Sequence, residues 1–143
     1  MMFDRLVESI ASGSHAAHQP HGQSLELQLA TSIALVATMS ADYIFRPEET
    51  RAVVDSLADL FSFDRKKCHK LLSRAMAARH RDPSIFNSAM MLRRLGTPDF
   101  NDRVLAAANR VAHADGELHD YEKDLLKRLT RILARKEQNA LSS

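Results

Sequence analysis

The chain has 143 residues, of which 45% are hydrophobic and 27% charged, and its formal net charge at pH 7 is +2. This length and composition predict one globular domain with a sizeable core. The small net charge excludes a protein that attracts nucleic acid through its overall charge. Cys68 is the one cysteine, which excludes an intramolecular disulfide and is typical of a reducing compartment. At an apolar helical position it is expected to be a buried small side chain.

The first 23 residues divide into two segments. Residues 1–12 predict a short amphipathic helix with Phe3, Leu6, Val7 and Ile10 on one face. They lack the basic start and apolar core of a secretory signal. Residues 13–23 contain Gly, Pro and little to bury, which predicts a flexible linker. Three histidines recur there at every third position, and solvated side chains are favoured over an adventitious metal site. They are His15, His18 and His21.

Three helices are predicted between residues 24 and 81. Ser24 is a candidate N-cap for a helix over about 25–41, which is apolar on more than one face and therefore belongs in the middle of a bundle. Its charge-free part is shorter than a bilayer span, so no transmembrane segment is expected. Pro47 lies in the first turn of the second helix. Asp64 is the expected N-cap of the third, over about 65–80.

Three further helices are predicted over about 83–95, 99–114 and 119–136. Gly96 ends the first of these, and the last residues, 137–143, are expected to fray. No segment alternates with a period of two, so no sheet is expected. The prediction is an all-α, single-domain bundle of about seven helices, with the folded domain spanning residues 24–136.

An acidic turn occurs twice in the chain. Residues 114–122 read Ala-Asp-Gly-Glu-Leu-His-Asp-Tyr-Glu, and the plan recurs 73 positions earlier over residues 41–49. The chain is therefore two helical hairpins related by an internal pseudo-two-fold repeat. The pattern resembles the TerB family of tellurite-resistance B-like proteins, whose hallmark is two copies of Ala-Asp-Gly-x-(apolar)-x-x-x-Glu. The second copy fits fully, while the first has Tyr43 where Gly is usual and Pro47 inside the turn. The resemblance covers roughly residues 25–136.

Four acids of these turns are the candidate metal ligands: Asp42, Glu49, Asp115 and Glu122. Clustered carboxylates suit hard divalent cations such as Ca²⁺ or Mg²⁺, and the TerB resemblance also implies a metal site built on such acids. The pattern by itself favours the structural alternative, in which the motif fixes a helix–helix corner and binds nothing. Gly116 permits a positive φ in a tight turn, and acids in a first helical turn complement the helix dipole and cap its N–H groups.

A basic helix face is the second candidate site. Lys66, Lys67, Lys70 and Arg74 share one side of the helix over about 65–80. They could contact anionic lipid head groups or an acidic protein, or form a solvated face. Nucleic acid is not favoured, because aromatic residues are not interleaved and no nucleic-acid module is recognisable.

No catalytic constellation is recognisable, so a non-enzymatic protein is expected and a metal-dependent hydrolase is the least favoured alternative. The TerB resemblance implies a stress-associated module related to tellurite resistance. We expect it to bind a divalent cation at the paired acidic turns. The alternative is a protein-interaction scaffold that uses the basic face, with purely structural acids. The expected location is the cytoplasm, either free or peripheral to the inner membrane, with an unidentified protein partner.

Overall fold

The computed structural model describes residues 24–39, 46–82, 84–116 and 118–142, with side chains as far as residue 134. These residues form six helices and no strand, which confirms the predicted all-α class. The helices are α1 (Leu25–Ala37), α2 (Pro47–Phe61), α3 (Arg65–Arg81), α4 (Phe86–Leu95), α5 (Pro98–Ala112) and α6 (Asp120–Ser142). The predicted helix over residues 1–12, the linker over 13–23 and the candidate ligand Asp42 lie outside the described residues.

Helices α1 and α3 begin at the N-caps that the sequence predicts. Ser24 Oγ accepts a hydrogen bond from the Leu27 N–H at 3.2 Å, and Asp64 Oδ1 accepts one from the Lys67 N–H at 2.8 Å. Thr97 caps α5 in the same way. Each of these side chains satisfies an N–H group that has no partner inside its own helix.

Helix α1 lies in the centre of the bundle and packs most extensively against α3 and α4. Its polar side chains are compatible with burial because they bond back to the helix: Thr31 Oγ1 donates to the Leu27 carbonyl at 2.7 Å, and Ser32 Oγ to the Gln28 carbonyl at 2.8 Å.

The helix ends at Ala37, earlier than the predicted residue 41, because Thr38 donates both its N–H and its hydroxyl to the Leu35 carbonyl. The apolar pattern continues to Met39, which is fully buried although it is not helical.

The remaining helices form a shell around the same core. Helix α2 packs on α3 and α5, and α6 packs on α4 and α5. Leu57, Val104 and Leu129 are each 0% exposed, and burying one such side chain stabilises the fold by about 1.5–3 kcal/mol. Cys68 is also 0% exposed, which confirms the prediction of a buried thiol. Among the described residues, no helix is long and apolar enough to cross a membrane.

Candidate functional site at the acidic turns

Glu49 lies in the first turn of α2 and is folded back toward the residue that precedes the helix. Its Oε1 accepts a hydrogen bond from the Arg46 backbone N–H at 3.4 Å. This contact is one half of a capping box. The other half is missing, because Arg46 has only donors in its side chain and cannot accept a bond from the Glu49 N–H.

Glu122 has the equivalent place in α6. Its Oε1 accepts a hydrogen bond from the His119 backbone N–H, three residues earlier, at 2.9 Å. Both acids therefore stabilise a helix N-terminus, as the structural interpretation of the motif predicts. That interpretation accounts for one oxygen of each carboxylate.

The second oxygen of each carboxylate has no such explanation. Glu49 and Glu122 are each only 1% exposed. Oε2 of each is buried and has no hydrogen-bond partner among the described residues. A buried polar atom without a partner costs free energy, and a proton, a water molecule or an ion at each oxygen would offset that cost.

The electrostatics place Glu49 near the acids of the other turn. Burial raises the pKa of Glu49 above its ordinary value of 4.5, and the Arg46 N–H bond opposes that rise. The charges of Asp115 and Glu122 raise the pKa further, while the Arg46 charge lowers it. Asp115 and Glu122 therefore lie close enough to Glu49 for their charges to affect its pKa. Asp42 lies outside the described residues.

The second turn has the geometry that its sequence predicts. Gly116 has φ +87°, a conformation that L side chains rarely adopt, and its N–H bonds to the His113 carbonyl at 3.0 Å. Leu118 is half-buried and packs against the core. His113 and His119 are exposed.

Comparison with protein-family models identifies the family to which the two acidic turns point. The model of the tellurite resistance protein TerB matches residues 28–140, more than half of the chain. The chain belongs to the TerB family. This match and the all-helical fold confirm the resemblance drawn from the two acidic turns. No curated protein and no solved structure matches the chain.

The acidic turns of this TerB domain contain carboxylate oxygens, the donor type that Ca²⁺ and Mg²⁺ prefer. Two carboxylate oxygens are buried and have no hydrogen-bond partner in the described part of the chain, which suits a cation. Among the described residues, however, no group of three or more His, Cys, Asp or Glu side chains is arranged as a metal site. A complete coordination shell would therefore need Asp42, a rearranged Asp115 or water in addition to Glu49 and Glu122.

Arg46 is a member of this site that sequence reasoning missed. Its Nη1 lies 3.9 Å from Glu49 Oε1, and Nη1 is buried without a hydrogen-bond partner in the described part of the chain. A guanidinium at this distance partly balances the carboxylate charge without a close bond. The sequence signal that could have found it is an arginine three residues before a glutamate, the spacing at which side chains on one helix face are neighbours.

The basic face of this TerB domain is solvent-exposed, as expected. Its members are exposed side chains of α3, which contains no acidic residue. The four are Lys66, Lys67, Lys70 and Arg74. The Lys67 ammonium lies 4.0 Å from the centre of the Phe63 ring. Arg65, at the start of the helix, is not part of this face. Its Nη2 forms an ion pair with Asp55 Oδ1 at 2.6 Å.

Proposed function

We propose that this TerB domain is a non-enzymatic, stress-associated module that binds a hard divalent cation, Ca²⁺ or Mg²⁺, at its paired acidic turns. Glu49 and Glu122 are the central ligands, and Asp115 and Asp42 complete the acidic set. The observation that carries the proposal is the pair of buried Oε2 atoms without hydrogen-bond partners in the described part of the chain. The association with tellurite-related stress rests on the family match.

The charge balance of the site favours a cation over an empty acidic pocket. Glu49 and Glu122 are almost fully buried, and Asp115 is close enough to affect the Glu49 pKa. Burying like charges together is costly unless a proton or a cation is taken up. A site built from carboxylate oxygens binds Ca²⁺ and Mg²⁺ in preference to thiophilic metals. Mg²⁺ in particular is often held by only one or two carboxylates and several waters.

A bound cation would tie the two helical hairpins together. Glu49 belongs to α2 in the first hairpin, and Glu122 to α6 in the second. A shared cation therefore adds a link between helix N-termini that are far apart in the sequence. That role requires no catalytic group, which supports a binding module.

Calorimetric titration of the chelated, metal-free protein with Ca²⁺ and then Mg²⁺ tests this function. We expect saturable binding at about one site per chain. At a free cation concentration 100-fold above Kd the fold gains about 2.7 kcal/mol, and Tm rises by roughly 5–10 °C. Both effects should disappear in Glu49→Gln with Glu122→Gln, and weaken in Asp42→Asn.

Two exposed acids provide the matched control. Glu48 and Asp120 lie in the same first helical turns as Glu49 and Glu122 but are exposed. Glu48→Gln with Asp120→Asn removes the same charge and should leave cation binding intact. Absence of heat and of a Tm shift at millimolar Ca²⁺ and Mg²⁺ in the native sequence would refute the proposal and leave the acids as helix caps.

The second candidate function is a scaffold that binds an anionic partner through the basic face. It is favoured by the absence of acidic residues from α3 and by the exposure of Lys66, Lys67, Lys70 and Arg74. Binding to an acidic protein should then survive chelation. The same holds for binding to vesicles that contain anionic lipid and represent the inner face of the membrane. It should fail in Lys67→Glu with Lys70→Glu, and fall as salt is raised. Binding that requires Ca²⁺ or Mg²⁺ would instead support the cation module.

A further inference from the structure

An apolar groove runs between α1, α3 and α4, away from the acidic turns. It is open to solvent and has a volume of about 360 Å³. Leu29 and Ile33 of α1 form one wall, and Ala78 of α3 and Met91 of α4 face them. All four side chains are only half-buried.

The groove is unexpected on a helix that is otherwise enclosed. Leu27, Leu35 and Val36 of α1 are at most 1% exposed, and α1 is apolar on more than one face. Leu29 and Ile33 continue the apolar surface of α1 around to the side that the described residues leave partly uncovered. An apolar strip of this kind on a central helix is typical of a surface that a further helix covers.

We propose that residues 2–11 of the same chain dock into this groove as an amphipathic helix. Phe3, Leu6, Val7 and Ile10 have the i, i+3, i+4, i+7 spacing by which a helix places its apolar anchors in a groove. Met91 at the opposite wall suits this role, because a flexible thioether adapts to the shape of its neighbour.

The chain length fits this occupant. The described chain begins at Ser24, and Glu26 and Leu29 in the first turns of α1 already line the groove. Residues 13–23 can span at most about 36–40 Å, and a flexible chain of that length has a mean end-to-end distance of roughly 17–20 Å. Helix α1 is about 20 Å long. Residues 13–23 are therefore long enough to reach any point along the groove without being fully stretched.

The covalent link favours the chain's own segment over a free partner. A short flexible tether holds its two ends at an effective concentration in the millimolar range. A separate molecule would have to exceed that concentration or bind more tightly to displace the segment. A second copy of the chain is the main competitor, since it carries the same segment.

Paramagnetic relaxation in the full chain tests the docking. A nitroxide attached through Ser9→Cys labels the segment alone, because Cys68 is fully buried. We expect strong broadening of the amide signals of Ile33, Ser88 and Met91, and much weaker broadening in α2, which contributes no residue to the groove. Leu6→Ser with Ile10→Ser should abolish the broadening in the groove. Arg5→Ser with Glu8→Ser, on the polar face, should leave it unchanged.

Three outcomes would overturn the proposal. The first is no selective broadening at the groove, and the second is broadening that persists in Leu6→Ser with Ile10→Ser. The third is broadening that appears when labelled chains are mixed with unlabelled, isotope-enriched chains, since the segment would then come from a second copy. None of these outcomes depends on a bound cation, so the result is independent of the function proposed for the acidic turns.

Discussion

Glu49 and Glu122 occupy equivalent positions 73 residues apart, and each bonds through Oε1 to the backbone N–H three residues before it. In both, Oε2 is buried without a hydrogen-bond partner in the described part of the chain. A capping role explains one oxygen of each pair. The burial of the other is the feature on which the proposed cation site rests.

The raised pKa of Glu49 predicts a distinct pH dependence of stability. A carboxyl whose pKa is higher in the folded state than in the unfolded state binds its proton more tightly when folded. Its contribution to stability is fully present below the ordinary value of 4.5 and is lost as the pH rises through the higher folded pKa. Glu49→Gln cannot lose a proton. The metal-free variant should therefore become progressively more stable than the native protein as the pH rises through that range.

Urea unfolding in the presence of a chelator, from acidic to neutral pH, measures this difference. Glu48→Gln is the matched control because it removes an exposed carboxylate from the same helical turn. A stability difference between Glu49→Gln and the native chain that is constant over the whole range would contradict the prediction. Cation affinity should rise with pH over the same window, since the bound proton must leave first.

Removal of the Arg46 charge should tighten cation binding. Its guanidinium Nη1 lies 3.9 Å from Glu49 Oε1 and repels a cation at that carboxylate. Because Arg46 is partly exposed, the effect is about 1 kcal/mol, or roughly a fivefold lower Kd in Arg46→Met. Calorimetric titration measures the change. Arg46→Lys keeps the charge, and Arg51→Met removes an exposed charge from the same helix. An equal gain in Arg51→Met would show a general charge effect instead.

Gly116 is expected to be required because of its backbone conformation, and not because a larger side chain would clash with its neighbours. A Cβ built there meets no atom of the described residues within 4 Å, its chain neighbours aside, whereas φ is +87°. Gly116→Ala should therefore cost about 1–2 kcal/mol, seen as a fall in Tm of roughly 2–8 °C. Gly116→Asn should cost less, because Asn tolerates left-handed conformations better than Ala. Equal losses for the two variants would point to a requirement for the missing side chain.

Tyr121 links α6 to α3 next to the candidate site. Its hydroxyl accepts a hydrogen bond from the Arg79 guanidinium, which is 5% exposed, and lies 3.5 Å from the Ala37 carbonyl. Tyr121→Phe should destabilise the fold by about 1–3 kcal/mol, since a buried donor loses a partner. Chemical denaturation measures the loss. Lys123→Met, an exposed change in the same turn, should have little effect, and an equally stable Tyr121→Phe protein would show that this bond contributes nothing.

Local structure was largely predictable from the sequence. Caps at Ser24 and Asp64, the end of α4 at Gly96 and the positive φ of Gly116 all follow from the chemistry of one residue and its near neighbours. Helix α1 ended before its predicted boundary because the hydrophobic pattern reports burial and not helicity, and Met39 is buried without being helical.

The sequence by itself determined the all-α fold, the repeated acidic turn and the family, because helix periodicity, caps and motif spacing are properties of neighbouring residues. Only the tertiary structure decided that Glu49 and Glu122 are buried and that Leu29 and Ile33 line a groove. These features depend on how helices distant in the chain pack together. The same glutamate at the same helical position is a solvated or a buried cap according to what lies across from it.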